Sequence, residues 1–158
     1  RNNTNKRYNH IMLGNNYRMT DISASMGLIQ LKKLNSCLKK KNEVAKIYNK
    51  HLTNNKNIKI PYIPNYVTRH SWYNYSIKVP SQKRDKLINF LSKKGIETRL
   101  SFPPVHIQPY YKKKFITKTK DLINGHNVFK KFLDIPIWPY LSKKKQLYVT
   151  KMIIKFLS

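Results

Sequence analysis

From Asp21 onward, apolar residues recur at the spacing of an α-helix: Ile22, Met26 and Ile29, with Leu28, Leu31, Leu34 and Leu38, then Val44, Ile47, Tyr48 and Leu52. Steps of three and four residues put these side chains on one helical face. The spacing predicts one long amphipathic helix, with a candidate break near Asn35 to Cys37. Thr20 stands where an N-cap belongs, and Asp21 complements the positive end of the helix dipole.

The period then shortens. "NIKIPYIP" reads as a short strand ended by prolines, and "HSWYNYSIKV" is aromatic and β-rich enough for a longer one. Ser81 is the expected cap of a helix through "RDKLINFLSKKG", in which Leu87, Ile88 and Leu91 form the buried stripe and Gly95 fits the stop. "IETRLSF" alternates Ile96, Thr98, Leu100 and Phe102 against Glu97, Arg99 and Ser101, the period of a third strand. The prolines of "PPVHIQPYY" predict irregular chain. A helix around Asp121 to Leu133, a short "IPIWP" segment and a terminal helix from Lys143 to Leu157 follow. In the terminal helix Val149, Met152, Ile153 and Phe156 share one face. Together these elements predict an α/β fold, a mostly antiparallel sheet covered by helices and preceded by a long helix.

Charge changes the picture less than its size suggests. Lysine and arginine number 33 against six acids, a formal net charge of +27. Such a field attracts polyanions, but the lysines are spread over the whole chain and form no single stripe. A composition-wide bias and a basic binding surface both remain open. "KKKNEVAKIYNK" is the nearest approach to a nucleic-acid-binding helix, and it reads equally as a solvated helix face. The 158 residues, 40% of them hydrophobic, suffice for one domain with a core. The chain opens on Arg1 with a polar stretch lacking any targeting pattern, and is expected to be a piece of something longer. No apolar run approaches the roughly 20 residues of a membrane span. Cys37 has no cysteine to pair with, which suits a reducing compartment and a place in the core.

Candidate chemistry is sparse. No Gly-rich phosphate loop, metal-ligand spacing or nucleophile elbow is present, and the acids Asp21, Glu43, Asp85, Glu97, Asp121 and Asp134 form no visible catalytic pair. His106 differs from the other histidines because it follows an expected strand within a proline-bounded loop, where a side chain can be held over a cleft.

Two stretches carry a resemblance. "GNNYRMTDISASMGLIQLKKL" resembles the Gly-aromatic-Asn-x-Arg-Met-(Thr/Ser)-(Asp/Glu) signature and following helix of the DegT/DnrJ/StrS-type nucleotide-sugar aminotransferases. "GIETRLSFPPVHIQPYY" is similar to the Gly-Ile-x-Thr-Arg and aromatic-x-Pro-x-His-x-x-Pro-x-Tyr stretch of the same family, especially its perosamine-synthase-like members. "HSWYNYSIKVP" and "FLDIPIWPYLSKKKQLYV" match further family segments in the right order, so the resemblance runs from about residue 8 to the end.

The resemblance implies the C-terminal small domain of a fold-type-I aminotransferase that uses pyridoxal 5′-phosphate (PLP). Such an enzyme moves an amino group from an amino acid, usually glutamate, to a keto-sugar nucleotide. It further implies residues 1–20 as the end of a large domain and a dimer-interface loop, 21–54 as a connecting helix, and 55–158 as the small domain. Asn16 falls where the family's loop touches the cofactor phosphate across a homodimer interface, with Arg18 beside it. His106 falls on the family's active-site histidine. Arg99 falls on its Thr-Arg position, where a substrate-phosphate contact and a structural ion pair are both open. Phe102 and Tyr110 are expected to pack the loop. The Schiff-base lysine belongs to the part of the family that precedes Arg1, so no catalytic residue is assigned here and the chain alone is expected to be inactive. A cytoplasmic location follows, without nucleic acid or membrane as partner. Asn15, in place of the usual aromatic, and Lys143 to Lys145, in place of acidic residues, depart from the pattern. The rival readings are a free-standing basic nucleic-acid-binding module and a non-catalytic dimerisation domain.

Overall fold

The computed structural model describes residues 12–100, 102–115 and 122–158. These fall into two compact units, the first ending at Leu34 and the second running Asn35–Ser158. The helix α1 spans Asp21–Leu52 without the break expected near Asn35. Thr20 does cap it, its hydroxyl oxygen accepting from the Ser23 amide at 3.3 Å. Within the first unit the apolar stripe is real but uncovered: Ile22, Met26, Ile29, Leu31 and Leu34 are all exposed.

The second unit holds the core. Its elements are β1 (Tyr75–Lys78), α2 (Ser81–Lys93), a 3₁₀ turn (Val105–Ile107), α3 (Pro109–Lys114), α4 (Ile123–Phe129), β2 (Phe132–Ile135) and α5 (Lys143–Leu157). β1 and β2 pair antiparallel with Tyr75 opposite Ile135 and Ile77 opposite Leu133. All four side chains are buried, as are Val44, Tyr48 and Leu52 of α1, Leu87 and Leu91 of α2, and Val149, Ile153 and Leu157 of α5. The basic stretch of α1 therefore carries a core face, with lysines on the remaining sides. Cys37 is only half-buried and lies outside this core, against expectation.

The expected first and third strands shrink to one bridge each, Lys59 with Lys78 and Arg99 with Asp134. Prolines explain both losses, because Pro61 and Pro64 follow the first bridge, Pro103 and Pro104 follow the second, and proline cannot donate to a ladder. The alternation after Ile96 does not bury its apolar set: Leu100 is exposed and Phe102 is 87% exposed. Phe102 thus does not pack the loop as expected, whereas Tyr110, though exposed, meets the Tyr111 ring edge to face with centroids 5.3 Å apart. Ser101 and Asp121, which belonged to the expected third strand and fourth-helix segment, lie outside the described residues. "PPVHIQPYY" is more regular than its prolines suggested, because Pro109 occupies the first turn of α3, where its missing amide costs nothing.

The longer expected strand begins only at Tyr75, and Trp72 is the reason. Its φ of 49° lies in the left-handed region, which no strand residue adopts and which a bulky side chain rarely tolerates. Burial holds it there. The indole is 2% exposed, donates from Nε1 to Asn42 Oδ1 at 3.2 Å, and stacks on Tyr75 with ring centroids 5.6 Å apart. The Tyr75 hydroxyl donates to Asn49 Oδ1 at 2.5 Å, and the Tyr48 hydroxyl donates to the Pro136 carbonyl at 2.7 Å. Burial pushes both phenols well above their ordinary range. They serve the fold as neutral hydrogen-bond donors.

Ser81 is the first residue of α2 rather than its cap; Pro80 takes the cap position and contributes no side-chain hydrogen bond. The other end follows the sequence closely. Gly95 has φ +70°, its amide reaches the Ser92 carbonyl at 2.9 Å, and the Ile96 amide reaches Leu91 at 2.9 Å, a Schellman stop. A Cβ at Gly95 would meet nothing within 4 Å, so the cost of a side chain there is purely conformational. Gly95→Ala is expected to lower stability by about 1 kcal/mol in a denaturant titration, with unchanged slope.

α5 runs as predicted from Lys143 to Leu157, capped by Ser142, whose hydroxyl accepts from the Lys145 amide at 3.4 Å. Phe156 sits at the core margin and Leu157 inside it. No helix among the described residues is long and apolar enough to cross a membrane.

Candidate functional site

Asn16 and Arg18 lie in the extended loop that leads into α1, and both are exposed. Asn16 Oδ1 accepts from the Arg18 backbone amide at 3.2 Å, an Asx turn that fixes the carboxamide with its acceptor turned inward. Its amino group is thereby left to donate elsewhere. The neighbouring Asn15 donates from Nδ2 to the Tyr17 hydroxyl at 3.1 Å, so the residue that departs from the family pattern ties down an aromatic two positions on.

Arg99 and Asp134 exchange both backbone hydrogen bonds, at 3.0 and 2.8 Å. Residues paired in this way project from the same face of a sheet. On that face Asp134 is buried, and its carboxylate accepts from Asn74 Nδ2 at 2.8 Å and from the Ser76 hydroxyl. Arg99 itself is exposed and lines a cavity of about 600 Å³, together with Glu97, Asn74, Asp134, Trp138 and Lys145.

His106 sits in the 3₁₀ turn and lines a separate, smaller cavity of about 310 Å³ with Val105, Tyr111, Phe115 and Leu122. Its Nε2 is buried without a hydrogen-bond partner among the described residues, and Gly125 of α4 lies near its ring, a Cβ there falling 4.0 Å from Cε1. A buried imidazole nitrogen left unsatisfied is a group waiting for a donor or acceptor. Thus Arg99 and His106 do not share a cavity in this unit, and Asn16 and Arg18 belong to the other unit. Among the described residues no cluster of histidine, cysteine and acids could hold a metal ion.

Sequence reasoning missed the lining of the larger cavity. Tyr73 fell within the expected aromatic strand and Trp138 within the short "IPIWP" segment, Tyr148 carried no reading, and Asp134 was only one of six acids without a visible catalytic pair. The usable signal was the alternation of Glu97 and Arg99, which put both on one face beside a buried acid.

The sequence profile of the DegT/DnrJ/EryC1/StrS aminotransferase family matches residues 1–154. GDP-perosamine synthase of Escherichia coli O157:H7 is 32% identical over 153 residues, covering 97% of this chain and 40% of that protein. Among solved structures, DesV of S. venezuelae, in complex with a ketimine intermediate, superposes with a TM-score of 0.87 at 24% identity. It covers 98% of this chain and 41% of its own. Spr1654 of Streptococcus pneumoniae, described as a putative sugar aminotransferase, superposes in its PLP form at 0.77 with 22% identity, over 89% and 37% of the two chains. The chain spans about two fifths of the length of the curated relatives it matches. With the family's ordered motifs, its small-domain fold and a profile match over almost every residue, the chain belongs to the DegT/DnrJ/EryC1/StrS aminotransferase family.

Proposed function

We propose that this chain is the C-terminal part of a PLP-dependent enzyme that moves an amino group from glutamate to a keto-sugar nucleotide, in surface-polysaccharide or deoxyaminosugar biosynthesis. The family match over residues 1–154 carries this reading. On it, residues 1–20 end the large domain and form an interface loop, 21–54 connect, and 55–158 make the small domain. The enzyme is a cytoplasmic homodimer with shared active sites.

The donors on the Asn16 loop fit a phosphate monoester: Asn16 carries a carboxamide amino group and Arg18, two residues on, a guanidinium, both at the approach to a helix N-terminus. When bound, PLP supplies the electron sink for the carbon that carries the amino group. Asn16 grips the cofactor phosphate from a second copy of the chain, and Arg18 adds positive charge. His106 offers its unsatisfied Nε2 to the sugar, in a cavity lined by Val105, Tyr111, Phe115 and Leu122. Arg99 holds the substrate phosphate. The lysine that anchors the cofactor stands in the part of the enzyme outside these residues.

The test is amino transfer by a protein of the relatives' full length. With PLP and glutamate it is expected to aminate a nucleotide-linked keto-sugar, while the 158-residue chain alone turns over none. A full-length protein that holds PLP yet aminates no such sugar would sink the substrate assignment. Turnover by the short chain would sink the assignment of the anchoring lysine.

A further inference from the structure

A groove in the second unit runs between α1 and the loop that precedes Trp72, enclosing about 350 Å³. α1 supplies one wall through Asn35, Leu38, Lys39 and Asn42, spaced i, i+3, i+4 and i+7 along a single face. The loop supplies the other wall, which ends in Arg69 and His70. Leu38, Ile63 and Val67 are half-buried and give the groove an apolar floor. No lining residue is shared with the cavities of Arg99 and His106.

The chemistry of the groove follows from which polar atoms are already engaged. Asn35 Oδ1 accepts from Arg69 Nη2 at 2.8 Å, which ties the loop to α1. Asn42 Oδ1 accepts from the Trp72 indole at 3.2 Å, and His70 Nδ1 accepts from the Trp72 backbone amide at 3.0 Å. The left-handed turn at Trp72 thus directs both of its N–H groups back to groove residues. What remains on the same side chains are donors: the amino groups of Asn35 and Asn42, the rest of the Arg69 guanidinium, and Nε2–H of the neutral His70 tautomer whose Nδ1 accepts. Lys39 adds an ammonium group, and no acid is among the lining residues.

A carboxamide ordinarily accepts as readily as it donates. Two carboxamides whose oxygens are engaged, beside two cations, accept the oxygens of an anion and offer nothing to a cation. The net charge of +27 spreads its attraction over the whole surface, whereas here neutral donors held by named hydrogen bonds converge with the charges. A volume of about 350 Å³ suits a small molecule and not a polymer. We propose that this groove binds a small free oxyanion, either inorganic phosphate or the carboxylate of a short organic acid. Occupation also braces the Trp72 turn, because Asn42 and His70 hold the anion with one end and Trp72 with the other.

The 158-residue chain, isotopically labelled in nitrogen, should be titrated with inorganic phosphate and with butyrate at constant ionic strength, each replacing chloride. The side-chain amide signals of Asn35 and Asn42 are expected to move and to saturate, with a dissociation constant of about 1 mM or below. Asn57 is the internal control, because its Nδ2 already donates to the Leu157 carbonyl at 2.8 Å. Tighter phosphate identifies the ligand as the inorganic anion, and tighter butyrate as a carboxylate whose stem lies on the apolar floor. Asn35→Asp keeps the oxygen that Arg69 reaches and replaces the free donor by an anion, so saturation should vanish at unchanged melting temperature. Lys39→Gln should weaken binding about tenfold. Lys151→Gln, which removes an exposed charge on α5, should change it by less than about twofold. Movement without saturation, equal movement at Asn57, saturation that survives Asn35→Asp, or equal losses in the two lysine variants would each overturn the site and leave only diffuse attraction by the net charge.

Discussion

Trp72→Ala is expected to destabilise the second unit by about 3–5 kcal/mol, the range for removing a fully buried large aromatic. Three losses combine. The indole vacates the core, its Nε1 bond to Asn42 disappears, and the stack on Tyr75 is lost. Against a total stability of about 5–15 kcal/mol for a domain of ordinary size, this approaches unfolding at physiological temperature. Trp72→Gly separates the backbone from the packing. Its cavity is as large, but glycine adopts φ 49° without penalty, so the glycine variant should match or exceed the alanine variant by up to about 1 kcal/mol. Chemical denaturation of the three proteins checks both statements. A glycine variant clearly weaker than alanine would show that the left-handed turn stores no strain.

The second large effect concerns Asn16. In the full-length enzyme, Asn16→Asp is expected to weaken PLP binding about a hundredfold, measured by titrating the apoenzyme and following cofactor absorbance. The substitution is almost isosteric and retains Oδ1, so the acceptor for the Arg18 amide and the Asx turn survive. What changes is the outward group, which turns from a donor into an anion, and on the proposed role that anion repels the cofactor phosphate. If Asn16 merely pins the loop, aspartate should be harmless, because aspartate forms the same turn equally well. Asn16→Ala removes both roles and should fall between, about tenfold to a hundredfold weaker than the parent.

These two residues also show where the sequence could and could not be read. Asn16 was singled out because its type and spacing fit a family signature, and what the structure shows around it is local, an Asx turn with the Arg18 amide. Trp72 was invisible as a turn because a tryptophan among tyrosines has high β-propensity, and tertiary packing overrode that preference. α5 was legible to its ends, since its apolar face keeps a period of 3.6, and the structure adds the Ser142 cap. So was the stop at Gly95, where glycine alone carries the positive φ without strain. The alternation around Arg99 was read correctly as extended chain but over-read as a strand. An edge segment followed by two prolines finds only one partner pair, with Asp134. The aromatics of the larger cavity were missed for a plainer reason: period and propensity describe neighbours along one element, and this lining is assembled from separate segments.

α1 is one helix with two thermodynamic characters. From Val44 to Leu52 it is anchored in the core, whereas from Ile22 to Leu34 its large apolar side chains lie open. A segment as short as the open half would be marginal as a helix by itself, because starting a helix fixes several residues for a single hydrogen bond. The anchored half has already met that nucleation cost. Each residue added toward Asp21 needs only propagation, and the helix opens from its Thr20 end first. Order in the Asn16 loop and length of the helix are therefore one linked equilibrium, so that whatever fastens the loop also winds the helix behind it.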